Sequence, residues 1–158
     1  MILTTPSQRR ELLGRVHSVA MVGASANPVR PSYFVFRYLI THGFDVHGVN
    51  PQYTDIDGIK CYPSLAAYAA ELGPPDIVDV FRKPTETPQV SRDAIAAGAK
   101  AIWFQYGVVN EEAIRIADEA GLDVVADRCM KVEHARFDGG LTLSGMNSGV
   151  LSSKRRAS

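Results

Sequence analysis

Gly23, Ala24 and Ser25 follow the apolar run Val19-Ala20-Met21-Val22, where a glycine lets a strand turn sharply and bring backbone N–H groups towards a phosphate. Ser25 adds a hydroxyl donor at the same turn. Asn50-Pro51 closes the next apolar run, at the place where dinucleotide-binding domains set an acid on the ribose 2′-OH. The amide of Asn50 can hydrogen-bond ribose or adenine without negative charge, although turn-making alone also explains the pair. Phe81-Arg82-Lys83-Pro84 ends a third run with a ring that can pack on a base and two cations that can meet phosphates. A core-capping Phe81 with solvated cations is the competing reading. Arg30 stands between Pro28 and Pro31, so its backbone is restricted and its guanidinium can be aimed at an anion at small entropic cost, with a solvated surface arginine as the competing reading. Gln105 and Arg128 follow the fourth and fifth runs and complete the polar candidates. An adenosine nucleotide with an additional ribose phosphate would meet Arg30, Arg82 and Lys83 and no carboxylate at Asn50. Coenzyme A is such a nucleotide.

Those residues need a frame that gathers strand ends on one edge. The pattern predicts a short amphipathic opening helix through Leu12 and Leu13, capped by Ser7 or a neighbour, and a first strand over 16–22. Helices over 32–42, 65–72, 86–97 and 111–120 alternate with strands over 46–49, 77–81, 101–104 and 123–126. Gly43, Gly73, Gly98 and Gly121 stop the helices. Strands separated by helices imply an α/β fold, an open doubly wound five-stranded parallel sheet with the expected order 3-2-1-4-5. Ligands in such sheets bind outside the carboxyl ends of the strands, where the winding reverses. All the candidate residues lie at those ends.

At 158 residues the chain is expected to form one domain over 1–137, opening helix included, followed by an arm or tail over 138–158. Leu141-Thr142-Leu143 reads as a short strand or an arm, and the basic run Ser152 to Arg156 as a solvated tail or a contact for a partner or phosphate. Seventeen basic residues balance seventeen acidic ones, so no overall field favours nucleic acid or an anionic membrane, and any anion site must be local. Cys61 and Cys129 lie far apart without a CxxC pair or a histidine cluster, which disfavours zinc and fits free thiols in a reducing compartment. No apolar stretch is long enough to span a bilayer. The expectation is a soluble, cytoplasmic protein, monomer or homodimer, with no metal.

With these strings in order, the chain resembles the small bacterial CoA-binding proteins, whose Rossmann-like fold is shared with the CoA-binding domain of succinyl-CoA synthetase α subunits. The carriers are Val22-Gly23-Ala24-Ser25, Arg30-Pro31-Ser32-Tyr33, Val49-Asn50-Pro51, Asp79-Val80-Phe81-Arg82-Lys83-Pro84, Trp103-Phe104-Gln105-Tyr106-Gly107 and Asp127-Arg128-Cys129-Met130-Lys131. The resemblance implies binding of the adenosine diphosphate part of CoA or a short acyl-CoA by Gly23, Ala24, Ser25, Arg30, Asn50, Pro51, Phe81, Arg82, Lys83, Pro84, Gln105 and Arg128. One departure is Asp127, where relatives often place Asn, and it either weakens anion binding or pairs with Arg128. Ser25 and Pro28 occupy the second and third glycine positions of the dinucleotide fingerprint, which argues against NAD. The leading expectation is a non-enzymatic or regulatory binding protein. The alternatives are an NADP-linked oxidoreductase and a thioester or redox protein using Cys129, with His134 five positions further on.

Overall fold

A computed structural model describes residues 1–138 of the chain. The expectations for Leu141-Thr142-Leu143 and the basic run near Lys154 fall outside the described residues. Helix α1 (Pro6–Arg15) starts at a capping box: the Thr5 side chain accepts from the Gln8 backbone N–H, and Gln8 reaches back to the Thr5 N–H. The cap is therefore Thr5, one of the neighbours of Ser7. Strand β1 (Ser18–Val22), helix α2 (Pro31–Thr41) and strand β2 (Asp45–Val49) form the first βαβ unit. A small antiparallel hairpin of β3 (Asp55–Ile56) and β4 (Ile59–Lys60) follows. Asp57 and Gly58 at its tip have φ of 52° and 80°, as a two-residue turn with left-handed central positions demands.

Helix α3 (Leu65–Leu72), capped by Ser64, leads to β5 (Ile77–Val80). After a 3-10 turn at Pro84–Glu86, α4 (Thr87–Ala96) leads to β6 (Ala101–Phe104). Helix α5 (Glu111–Glu119) is capped by Asn110, carries Glu111 and Glu112 in its first turn where the helix dipole favours them, and leads to β7 (Asp123–Val125). Helix α6 (Met130–Phe137) closes the described chain.

The five long strands form one parallel sheet in the order β2-β1-β5-β6-β7. The open, doubly wound α/β sheet expected from the sequence is present, but the order within it is corrected. Counting the parallel strands alone, it runs 2-1-3-4-5 and not 3-2-1-4-5. The outer edge of β2 is already taken: the Tyr62 N–H donates to Gly48 O at 2.9 Å and the Asn50 N–H donates to Tyr62 O at 2.9 Å. The third long strand therefore pairs with β1, setting Met21 beside Asp79 and Asp79 beside Trp103. Winding reverses between β1 and β5, and the crevice belongs there.

Two apolar layers sandwich the sheet. Leu12, Phe36, Leu39, Met21, Trp103 and Met130 pack on the face covered by α1, α2 and α6. Tyr68, Val78, Val80, Ala94, Phe104 and Ala117 pack on the face covered by α3, α4 and α5. Trp103 and Phe104, consecutive on β6, face opposite layers and are both core residues. No helix among the described residues is long and apolar enough to cross a membrane.

Candidate functional site

The loops after β1 and β5 meet over the reversal point. Gly23 has φ of 84°, and its N–H donates to Val49 O at 3.0 Å. A Cβ on Gly23 would collide with the Phe81 carbonyl oxygen, so the close approach of the two loops requires glycine. Ala24 is buried beneath them, and its carbonyl accepts the Asn50 side-chain N–H at 2.9 Å. Asn50 Oδ1 in turn accepts the Gln52 N–H at 2.9 Å. The amide at this position thus ties the loops of β1 and β2 together. Ser25 donates its N–H to Ser32 Oγ at 3.1 Å, and its hydroxyl accepts the Asn27 N–H at 3.0 Å and shares a hydrogen bond with Tyr53 OH at 3.3 Å.

Around these loops lies a cleft of about 450 Å³. Gly23, Ser25, Asn50 and Phe81 line it together with Arg30, Arg82 and Lys83. Among the described residues its walls contain no acidic side chain. Helix α2 opens on the same cleft: Arg30 is its N-cap, no side chain caps it, and Pro31 and Ser32 line the wall. The positive end of a helix dipole therefore adds to three cationic side chains. Arg30 and Lys83 are exposed and form no ion pair among the described residues, whereas Arg82 is held by Glu86, with Nε and Nη2 at 2.8 and 2.7 Å from Oε1.

Arg82 is also a wall of a second cleft of about 370 Å³ on the α3–α4 side of the sheet. Pro51, Val22, Val49 and Leu65 give that cleft apolar sides, and Glu86, Gln89 and Asp93 give it polar ones. Arg82 thus lines both spaces.

Besides the buried Ala24, three expected site residues line neither cleft. Gln105 is 3 % exposed and donates its amide N–H to Asp79 Oδ1, while its own oxygen accepts the Met130 N–H at 3.4 Å. The Pro84 carbonyl accepts Thr87 Oγ1–H at 2.6 Å and the Asn110 side-chain N–H at 2.9 Å, holding the loops after β5 and β6 together. Arg128 is exposed, and its carbonyl accepts the Trp103 indole N–H at 2.8 Å. Conversely, Gln52, Tyr53 and Val108 line the first cleft without a motif to single them out. Val108 enters it only because the loop after β6 turns back over the crevice, and the reading by strand ends did not extend past Gly107.

Asp127 has φ of 60°, a conformation that Asp and Asn tolerate best, and its Oδ1 accepts the Gly107 N–H at 2.8 Å. It pins two loops and makes no ion pair with Arg128. Cys129 lines neither cleft, and no hydrogen bond joins it to His134, whose Nδ1 is 2.8 Å from the Tyr38 hydroxyl. Burial lowers the pKa of His134 and raises that of Cys61. Among the described residues no group of three His, Cys, Asp or Glu side chains is placed to hold a metal ion.

The family model described as the CoA binding domain matches residues 17–135. The chain is 37% identical over 126 residues to the uncharacterized protein YneT of Bacillus subtilis, covering 80% of this chain and 91% of that one. It is 27% identical over 123 residues to the ADP-forming acetate–CoA ligase I of Archaeoglobus fulgidus, covering 71% of this chain but only 17% of the ligase. Among solved structures, a hypothetical protein from Pyrococcus horikoshii superposes with a TM-score of 0.80 at 46% identity, covering 85% of this chain and 92% of that one.

Proposed function

The chain belongs to the CoA binding domain family, and from that membership we propose that its paired clefts bind coenzyme A or a short acyl-CoA through the adenosine diphosphate part, as a non-enzymatic or regulatory binding protein. The observation that carries this reading is the first cleft itself: three cations and an uncapped helix N-terminus converge on a space without an acid, and Asn50 stands where a 2′-OH-binding carboxylate would. The phosphates fit that cleft. The nucleoside fits the second, whose apolar sides suit a base and whose Glu86 and Asp93 oxygens accept N–H or O–H groups.

Glu86 refines the electrostatics. Arg82 is already paired, so Arg30 and Lys83 are the cations with most to gain from an incoming phosphate. Calorimetric titration with CoA and with dephospho-CoA tests the proposal, the former being expected to bind more tightly by about tenfold, the worth of one charge-assisted contact. Equal affinities would remove the case for recognition of the additional phosphate. Stronger binding of NADPH than of CoA would turn the reading towards a nicotinamide cofactor, since the same cations suit a 2′-phosphate. Cys129 lines neither of these two clefts.

A further inference from the structure

We propose that Asp79 is a proton switch beneath the phosphate cleft: while its carboxyl is protonated the cleft accepts an anion, and ionisation of that carboxyl weakens the hold on the anion. The inference rests on the ligand reading given above and adds a regulation to it. Asp79 is wholly buried in β5, two residues before Phe81 on the cleft wall. Along an extended strand that spacing is about 7 Å.

The setting suits a neutral acid and not a carboxylate. Asp79 Oδ1 accepts the Gln105 amide N–H, whereas Oδ2 is buried without a hydrogen-bond partner among the described residues. An ionised carboxyl with an orphaned oxygen has lost its hydration without replacement. Burial accordingly lifts its pKa to about 7, against the opposing pull of the Gln105 amide and the Val80 N–H.

Among the described residues no countercharge sits beside it. The register neighbours of Asp79 are Met21 on β1 and Trp103 on β6, and Gln105 links it to the first turn of α6 at Met130. The charged or titratable groups packed on that face are the Arg9–Glu133 pair joining α1 to α6, Arg136 on the same Glu133, Tyr38 with His134 between α2 and α6, Tyr33 of α2, Tyr53, and the thiols of Cys61 and Cys129. Arg30, Arg82 and Lys83 stand at the cleft. None of these is hydrogen-bonded to Asp79 among the described residues. Its ionisation thus adds an uncompensated negative charge under a site built for anions. With an effective permittivity of about 20 and a separation on the order of 10 Å, one such charge shifts anion affinity by about tenfold. Coupling of this kind is reciprocal, so a bound anion also raises the affinity of Asp79 for its proton.

The test is calorimetric titration with CoA from pH 6.0 to 8.5, on the wild type and on Asp79→Asn. Titration of the ligand phosphates affects both proteins alike, so the quantity to read is the ratio of the two dissociation constants. The expected ratio is near one at pH 6.0 and rises about tenfold by pH 8.5, the wild type becoming the weaker binder. A ratio that stays constant while both bind overturns the switch and leaves the ligand reading intact. Absence of CoA binding by either protein at every pH overturns the ligand reading and the switch with it. If Asp79→Asn fails to fold, the wild type alone decides: CoA binding at pH 7.5 in buffers of different ionisation enthalpy must show proton uptake, and no uptake or net release overturns the proposal.

Discussion

Gly23 carries more of the site than a phosphate-facing turn requires. Its φ of 84° lies in the region that side chains rarely adopt, and the Phe81 carbonyl fills the space a Cβ would need. Gly23→Ala is therefore expected to cost at least about 2 kcal/mol through backbone strain, before the steric clash is added. Urea unfolding reads this directly, and a wild-type midpoint with an unchanged slope would mean that the loops part freely. The glycine was legible because its constraint is local, a turn directly after an apolar run. Gln105 stands at the same kind of position, where a ligand group is expected, yet it is buried, because its amide is needed by a carboxyl on the neighbouring strand. Sequence marked Asp79 only as part of a string. Nothing local to either residue says that β5 and β6 lie side by side and bring the two groups together.

Among the elements, α6 shows how polar residues can dock a helix. Glu133 and His134 are buried, although a single-sequence pattern places a glutamate and a histidine outside. Glu133 meets Arg9 of α1 at 2.7 Å with both side chains 4 % exposed, and Arg136 approaches its other oxygen at 3.2 Å. Removing one member of such a pair leaves a buried charge without its partner. Glu133→Ala is expected to cost about 3–5 kcal/mol, and the paired replacement Arg9→Met with Glu133→Leu to recover most of it. Chemical unfolding of the two variants checks this, and a single variant as stable as the wild type would show the pair to be effectively solvated. The same non-local cause hid α6 from the sequence reading, since its apolar face is narrow and its partners come from α1 and α2. The hairpin of β3 and β4 had a local signal, Asp57-Gly58 between isoleucines, which short strands obscured. Strand alternation gave the doubly wound sheet, but its order depended on Tyr62 occupying the edge of β2, a contact that periodicity does not report.

At the scale of the whole molecule, a neutral-pH optimum set by surface charge is not the expectation, because a buried acid at the sheet centre binds its proton more tightly folded than unfolded. Unfolded, Asp79 titrates near the usual carboxylate value of about 3.9; folded, its pKa rises to about 7. Between those two pH values the folded chain holds one more proton than the unfolded chain, so this group makes stability fall as pH rises, with the loss complete above the folded value. His134 acts in the opposite sense, since burial lowers its pKa and its contribution is lost as pH falls towards and below the unfolded value. Asp76, whose pKa is lowered and which accepts the His17 and Ser18 backbone N–H groups, also favours the folded state on the alkaline side. The raw profile therefore mixes signs, and the informative quantity is the difference between the wild type and Asp79→Asn. That difference is expected to shift against the wild type by a few kcal/mol between pH 4 and pH 7 and to stay level above it. Unfolding midpoints from pH 4 to 8.5 measure it. A difference independent of pH would place the Asp79 proton in contact with solvent, and with it would go the idea that the centre of the sheet senses charge at its edge.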